Sequence, residues 1–122
     1  LYSAYLTNAH LNNAVLNNAY LRYADLTGTD FWGASMTNAD LRYADLTNVD
    51  LDYANLANAY LIYADLTDAY LFSANLTSAY LFGADLTDAS FNSATVTNAY
   101  FGGTIWSNTI WTDGIAYDTN QA

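Results

Sequence analysis

Residues 41–66 read LRYADLTNVDLDYANLANAYLIYADL, and this stretch decides the fold. It places leucine at every fifth position and a small residue, usually alanine, two positions before each leucine. We call the large residue of each five-residue unit its centre. An apolar centre recurs at this spacing from Leu1 to Trp111. Up to residue 109, the small position departs from alanine only at Thr29, Val49, Thr104 and Thr109.

A period of five fits neither regular secondary structure. On an α-helix, five residues advance about 500°, so successive centres would spiral around every side. On a flat strand, an odd period turns alternate centres to opposite faces. The centres can all stay inside only if the chain turns a corner once per unit. The pattern therefore predicts a solenoid, in which each coil depends on its neighbours for stability.

A weaker period of twenty residues predicts how many corners make one coil. It appears in the rows Asp25, Asp45, Asp65 and Asp85; Tyr23, Tyr43 and Tyr63; and Tyr60, Tyr80 and Tyr100. Twenty residues are four units, so like residues stack on like if each coil has four sides. Gene duplication is the other explanation for such a period.

The residue between the small position and the centre is often Asp or Asn, as in Ala24-Asp25-Leu26 and Ala74-Asn75-Leu76. This Ala-(Asp/Asn)-Leu-X-X unit resembles the motif of the pentapeptide-repeat family over nearly the whole chain. The resemblance implies an all-β fold, a right-handed quadrilateral β-helix of about six coils and roughly 29 Å in length at about 4.8 Å per rung. It also implies that centres and small residues form the core, among them Leu26, Leu46, Leu66, Leu86, Leu41, Leu61, Leu81, Ala24, Ala44, Ala64 and Ala84.

The pattern predicts one domain in two parts, with regular repeats over 1–103 and atypical repeats with a capping tail over 104–122. In the second part Trp106 and Trp111 replace leucine, Asp113-Gly114 reads as a turn, and residues 118–122 are polar. These features favour a cap, and a dimer interface through the two tryptophans is the alternative. Nothing before Leu1 looks like a cap, so either a capping segment is missing or this end meets another chain. We expect a monomer or an end-to-end homodimer.

Most charged residues of this chain are acidic. All twelve acidic residues are Asp, Arg22 and Arg42 are the only Lys or Arg residues, and the net charge is −10. Direct binding to nucleic acid or to an anionic membrane is not expected, because both require clustered Lys and Arg. A protein partner or cations fit better. The compartment stays open, with export to a periplasm or a lumen favoured if an upstream signal peptide has been removed.

The row Asp25, Asp45, Asp65 and Asp85, which we call the acidic ladder, allows several interpretations. Carboxylates on adjacent rungs repel by roughly 0.9 kcal/mol in water at about 5 Å before screening. In the structural interpretation, hydrogen bonds from corner backbone amides satisfy each carboxylate. The functional alternatives are an acidic stripe for a basic partner and a row of cation sites.

The tyrosines form two columns on one predicted side of the coil. The first column is Tyr23, Tyr43 and Tyr63, and the second is Tyr60, Tyr80 and Tyr100. Stacked rings would help to hold the register between rungs. As an exposed aromatic surface they are also candidate interaction residues for a protein partner, a second copy of the chain or a sugar.

No enzymatic activity is expected from this sequence. The chain has no Cys, Lys or Glu, and His10 is its only histidine. No Ser stands beside a suitable base, and neither a Gly-rich phosphate loop nor metal-ligand spacing occurs. We therefore expect no catalytic residue, no cofactor and no metal site.

Two main functional hypotheses follow from these features. The first is a structural or protein-interaction solenoid of undefined biological role. The second comes from the resemblance, because some pentapeptide-repeat proteins act as acidic mimics of DNA that bind DNA gyrase or a related topoisomerase. A minor alternative is ice or cation binding on a flat face, such as the neutral Asn and Thr side of the predicted coil.

Overall fold

The computed structural model describes residues 2–113 and 116–117, and within them the chain winds into a coil of β-bridges. Single residues of successive coils pair in parallel, from Tyr5 with Asp25 to Ser90 with Ile110. Every one of these pairs is separated by twenty residues. One coil therefore contains four five-residue units, which is the repeat predicted from the rows of identical residues.

Among the described residues, extended strands are short and lie only at the end of the coil. Strand β1 is Thr109–Ile110 and strand β2 is Ala116–Tyr117. The two strands pair antiparallel, with Thr109 opposite Tyr117 and Ile110 opposite Ala116. Elsewhere in the described chain, a turn follows each centre before the backbone can extend further.

Each corner is a four-residue turn closed by one hydrogen bond. In the turn that starts at Leu46, the amide of Val49 donates to the Leu46 carbonyl over 3.2 Å. The third residue, Asn48, has a φ of 57°, in the left-handed region. Asn, Asp and Gly tolerate this region best. The turn therefore explains why Asn is frequent two positions after the centres, on the neutral Asn and Thr side as well as on others.

Backbone hydrogen bonds join each coil to the next. In the unit centred on Leu46, the amides of Asp45, Leu46 and Asn48 donate to carbonyls of neighbouring coils over 2.9, 2.7 and 2.9 Å. The turn accounts for a further amide in every unit. Only the amide directly after the centre, here that of Thr47, bonds to no backbone carbonyl. Its partner is a side chain, described below.

The core is a stack of centres with small residues between them. The predicted core leucines are all fully buried, and the predicted alanines are 0–1% exposed. Phe31, Met36 and Phe91 occupy the same kind of position with no exposed surface. The alanine at the intervening position leaves room for the large side chain of the adjacent unit.

Threonine replaces alanine in the core where its hydroxyl group finds an acceptor. Thr29 and Thr109 are 0% exposed, and their hydroxyls donate over 2.7 Å to the carbonyls of Leu6 and Leu86. Thr104 donates in the same way to the Phe101 carbonyl over 2.8 Å. These exceptions to the alanine pattern therefore leave no buried hydroxyl unsatisfied.

Aromatic side chains fill the last described coil. Trp106 is 6% exposed, and its ring lies 4.7 Å from that of Trp111 and 6.0 Å from that of Phe101. Bridges at the usual spacing continue to Ile110. The division at residues 103 and 104 and the capping role of the tryptophans stay predictions. Gly114 and the tail 118–122, like Leu1, lie outside the described residues.

Replacing Leu56 with Asp tests the inward position of the centres. Leu56 lies in a middle coil and is 0% exposed, so Leu56→Asp places a carboxylate in a core that offers it no partner. A buried, unpaired charge costs several kcal/mol. We expect the cooperative unfolding transition, followed by circular dichroism, to disappear. The control is Asn58→Asp, which adds the same charge at an exposed corner and should leave the transition nearly unchanged. A parent-like melt for Leu56→Asp would contradict the fold.

Candidate interaction surface

The acidic ladder supplies the missing hydrogen bonds of the backbone. In each rung, Oδ1 of the Asp accepts a hydrogen bond from the amide two residues later, the amide that no backbone carbonyl reaches. The donors are the amides of Thr27, Thr47, Thr67 and Thr87, and the distances are 3.1, 3.0, 3.0 and 3.0 Å. The structural interpretation of the ladder therefore has a defined chemical basis.

Threonine hydroxyl groups strengthen two of these rungs. The hydroxyls of Thr27 and Thr87 also donate to Oδ1 of Asp25 and Asp85, over 2.8 and 2.6 Å. The Thr27 hydroxyl and then its amide lower the pKa of Asp25, because both bonds favour the carboxylate over the acid. The Thr that follows the centre in each rung of the acidic ladder is thus a partner of the Asp before it.

Both tyrosine columns stack along the coil. In the first column, ring centroids of Tyr23 and Tyr43 are 5.0 Å apart, and those of Tyr43 and Tyr63 are 5.4 Å apart. In the second column, Tyr60 and Tyr80 are 5.2 Å apart and nearly parallel, at 7°. These distances match the rung spacing, so the rings follow the backbone ladder.

Phe82 joins the two columns into one surface. Its ring meets the edge of Tyr63 at 5.6 Å and stacks with Tyr100 at 6.2 Å. We call the surface formed by the two tyrosine columns and Phe82 the tyrosine face. Its exposed fractions of 39% for Tyr60, 44% for Tyr80 and 54% for Tyr100 leave the rings open to contact.

Tyrosine does not meet the backbone's requirements in the second column. Tyr60 and Tyr80 occupy the position that carries Asp in the acidic ladder, but the phenol oxygen stands at the far end of a rigid ring, and no bond from the amide two residues later forms there. Those amides, of Ile62 and Phe82, therefore lack the bond that Thr47 makes. One such bond is worth about 1 kcal/mol, so the aromatic rings occupy this position at the expense of a local hydrogen bond.

The first column carries a similar disadvantage. Tyr23, Tyr43 and Tyr63 have φ values of 58°, 59° and 56°, in the left-handed region where Asn or Gly is preferred. The conformation costs a tyrosine on the order of 1 kcal/mol. A stacked pair of rings stabilises the fold by about 0.5–1.5 kcal/mol. Stacking therefore roughly offsets the cost of the left-handed backbone and adds little net stability.

An ion-paired cluster interrupts the second column. Asp40 accepts from Nε and Nη2 of Arg42 over 2.7 and 2.6 Å, and from Nη2 of Arg22 over 3.3 Å. The hydrogen bonds from the Arg42 side chain are the main reason that the pKa of Asp40 is lowered, and they raise the pKa of Arg42. The sequence predictions did not connect Asp40 with either arginine. The twenty-residue spacing contains the signal, since Arg42 lies two residues after Asp40 and Arg22 occupies the equivalent position one coil earlier.

A second aromatic row, absent from the predictions, lies on another side of the coil. Trp32 and Phe72 each meet the ring of Tyr53 at 5.5 Å. Between them, Asp52 accepts from the Phe72 amide over 2.7 Å. Burial raises the pKa of Asp52, because it disfavours the charged form. This row is shorter than the tyrosine face, and its rings meet edge to face.

The described residues offer little that resembles a catalytic or metal site. Within 2–113 and 116–117, no three His, Cys, Asp or Glu side chains come together as metal ligands would. His10 is exposed, with Nδ1 3.9 Å from Oδ2 of Asp30. Nor does any helix in this part of the chain have the length and apolar character needed to cross a membrane. A cleft of about 370 Å³ opens beside Asp40, between Tyr20 and Tyr60.

Comparison with known proteins identifies the repeat. A family model for pentapeptide repeats matches in eight copies, over residues 1–38, 15–52, 39–77, 50–88 and 69–108. These matches extend across both tyrosine columns and the whole acidic ladder. A search of curated proteins returned no match.

Two solved structures have a similar fold. HetL, a pentapeptide repeat protein involved in heterocyst differentiation regulation from the cyanobacterium Nostoc sp. strain PCC 7120, is 30% identical with a TM-score of 0.66, covering 96% of this chain and 65% of that one. A trypsin-treated variant of QnrB1, a plasmid-mediated fluoroquinolone resistance protein, is 24% identical with a TM-score of 0.53, covering 96% and 61%. The chain thus spans less than two thirds of either protein, and the likeness to QnrB1 concerns the fold alone.

Two substitutions of Asp45 separate its hydrogen bond from its charge. Asp45→Asn keeps an oxygen acceptor for the Thr47 amide and removes repulsion from the adjacent rungs, so we expect equal or greater stability. Asp45→Ala removes the acceptor and should lower the free energy of unfolding by about 1 kcal/mol. Urea denaturation of the two variants and the parent measures both effects. Equal losses for Asn and Ala would contradict the role of Oδ1 as a backbone acceptor.

Proposed function

The chain belongs to the pentapeptide-repeat family, a family of right-handed β-helices that are generally non-catalytic, and from this premise we propose that it binds a protein partner through the tyrosine face. The proposed molecule is a four-sided rod of about six coils at about 4.8 Å per rung. It presents a different chemistry on each side and catalyses no reaction.

The observation that carries this proposal is that tyrosine is a poor choice for the backbone at both columns. Tyr60 and Tyr80 forgo a hydrogen bond, and Tyr43 adopts a strained φ of 59°. Asp or Asn would suit the first kind of position, and Asn or Gly the second, as other sides of the same coil illustrate. Contact with another molecule therefore explains the presence of these rings better than a contribution to the stability of the fold does.

The chemistry of the tyrosine face suits a protein surface. Tyrosine and phenylalanine are enriched at protein interfaces, because they bury a large area while losing few rotamers, and tyrosine also keeps a polar group at its edge. Phe82, 39% exposed, lies between the two columns and adds an apolar centre. The stacked rings are also held in place before binding, which lowers the entropy cost of association.

The end of the rod has a separate proposed role. The packing of Trp106 and Trp111 against Phe101 favours a cap that closes the core, in the manner of terminal repeats in other solenoids. An end-to-end homodimer through the same residues is the alternative. Neither possibility uses the tyrosine face, which lies along the side of the rod.

Mimicry of DNA is a second candidate function, favoured by the acidic ladder. Each rung uses Oδ1 for the backbone, while Asp45 and Asp65 still expose their carboxylates to solvent. Ten net charges over roughly 29 Å correspond to one per ~3 Å, against one per about 1.7 Å in B-DNA. The lower density makes this the weaker candidate. Ice or cation binding is weaker still, because the ladder offers one carboxylate per rung and no cage of ligands.

Photo-crosslinking can test the tyrosine face directly. We would introduce p-benzoylphenylalanine at Phe82 and, as the matched control, at Thr97 on the neutral side, and irradiate native cell extract. We expect Phe82 to yield one or a few discrete heterologous adducts, and Tyr60→Ser/Tyr80→Ser in the same chain to weaken them at least about tenfold. A homodimer adduct alone would replace the partner with a second copy. Equal labelling from Phe82 and Thr97 would contradict the proposal.

A supercoiling assay with DNA gyrase tests the mimicry alternative. If the acidic ladder acts as a DNA surrogate, micromolar protein should inhibit or protect the enzyme, and the effect should weaken steeply with salt. Asp45→Asn/Asp65→Asn keeps the backbone acceptors and should weaken the effect by reducing charge alone. The absence of any effect at low salt would exclude this candidate.

A further inference from the structure

An exposed aromatic row with a carboxylate inside it lies on the side of the coil opposite the tyrosine face. We call Trp32, Tyr53 and Phe72 the aromatic row. The Tyr53 ring lies 5.5 Å from each of the other two, and the three side chains are 45%, 52% and 38% exposed. Asp52 belongs to the same column as Trp32 and Phe72, because twenty residues, or one coil, separate it from each. A large exposed aromatic surface therefore adjoins one carboxylate.

The Asp52 carboxylate uses only one of its oxygens within the fold. Oδ1 accepts from the Phe72 amide over 2.7 Å, an amide for which Tyr70, two residues earlier, provides no acceptor. Within residues 2–113, no donor bonds to Oδ2. Burial raises the pKa of Asp52 and the neighbouring Asp50 charge raises it further, although the bond from the Phe72 amide opposes this shift. The charged carboxylate is thus partly removed from water with no cation to balance it.

The chain itself supplies no basic side chain to Asp52. Arg22 and Arg42 are its only Lys or Arg residues, and both lie on the side of the tyrosine face. His10 lies on the side of the aromatic row, but it is two coils from Asp52 and 3.9 Å from Asp30. The adjacent side carries the acidic ladder, so two neighbouring sides of the rod form one negative surface. A partner that complements the aromatic row is therefore cationic.

The cluster around Asp40 shows which cation suits such a place. There the guanidinium of Arg42 donates to both Asp40 oxygens, over 2.7 and 2.6 Å, and its carbon lies 5.6 Å from the ring centroid of Tyr60. Tyr60 follows Asp40 by twenty residues, as Phe72 follows Asp52. A planar guanidinium pairs with a carboxylate and packs on an aromatic ring at the same time. The chain supplies this group at Asp40 and not at Asp52.

We propose that the aromatic row binds an arginine side chain of a protein partner, with the guanidinium paired to Asp52 and packed on the exposed rings. A second basic residue of the same segment pairs with Asp50. Oδ1 of Asp50 accepts from the Asp52 amide over 2.9 Å, and no donor within residues 2–113 bonds to its Oδ2. The site shares no residue with the tyrosine face, so it and the proposed function can fail independently.

Titrations followed by ¹H–¹⁵N NMR on the folded chain, at physiological salt, test the site. The probes are acetyl-arginine amide and a capped peptide with two arginines, and the controls contain lysine instead. We expect saturable shifts of the Phe72 amide and the Trp32 indole N–H, with the arginine peptide binding at least about threefold more tightly than the lysine peptide. The arginine peptide should also bind more tightly than the single residue, and equal affinity would overturn the assignment to a protein partner. Equal affinity for lysine, or no saturable shift up to about 20 mM probe, would overturn the site.

Matched pairs of variants locate the guanidinium. Asp52→Asn keeps an oxygen acceptor for the Phe72 amide and removes the charge, so it should weaken binding at least about fivefold. Its control, Asp45→Asn, removes the same charge from the adjacent side and should weaken binding less than about twofold. Phe72→Leu keeps an apolar side chain without the ring and should weaken binding about threefold, whereas Phe82→Leu on the tyrosine face should not. Thermal melts establish that each variant is folded. Equal losses within either pair would overturn the proposal.

Discussion

Four of the five backbone amides in a typical unit of this rod bond to backbone carbonyls, three of them on neighbouring coils, and the fifth needs a side chain. Where an Asp or Asn stands before the centre, it supplies that acceptor, as Asp45 does for Thr47. A solenoid exposes much of its backbone along its corners, so such local partners matter more than in a domain with a deep core. Positions that depart from this requirement are the most informative ones on the surface.

The tyrosine face contains two kinds of departure. Tyr60 and Tyr80 stand where Asp or Asn would accept a hydrogen bond from the backbone. Tyr43 stands at a left-handed turn, where Asn or Gly would suit the backbone better. The acidic ladder is the opposite case, because each of its carboxylates accepts a hydrogen bond from a backbone amide. The negative charge of the ladder is a consequence of that structural role. Abundant acidic residues are therefore weaker evidence of function in this chain than a smaller number of badly placed tyrosines. Asp40 is a further case, since it occupies a rung between Tyr20 and Tyr60 and pairs with two arginines.

Much of the architecture follows from residue spacing alone. The five-residue period required a corner in every unit, and the rows of identical Asp and Tyr predicted coils of twenty residues, as the bridges from Tyr5 to Ile110 show. The left-handed turn at Asn48 did not follow, because a period locates a corner without specifying its dihedral angles. The cluster around Asp40 was missed because its partners lie on different coils, and only the folded stack brings Arg22 beside it. The proposed role of the tyrosines involves a partner, and the sequence of this chain does not describe the surface of that partner.

Hydrogen exchange of single amides in the unmodified protein tests the backbone requirement most directly. Thr47 and Thr67 donate to Asp side chains, whereas Ile62 and Phe82 stand two residues after tyrosines. We predict slow exchange for the two threonine amides and exchange at least about tenfold faster for Ile62 and Phe82. Equal protection of all four amides would mean that the Asp side chains do not protect the Thr amides by hydrogen bonding, and that tyrosine at the same position costs no hydrogen bond. The proposal for the tyrosine face would then lose its physical basis.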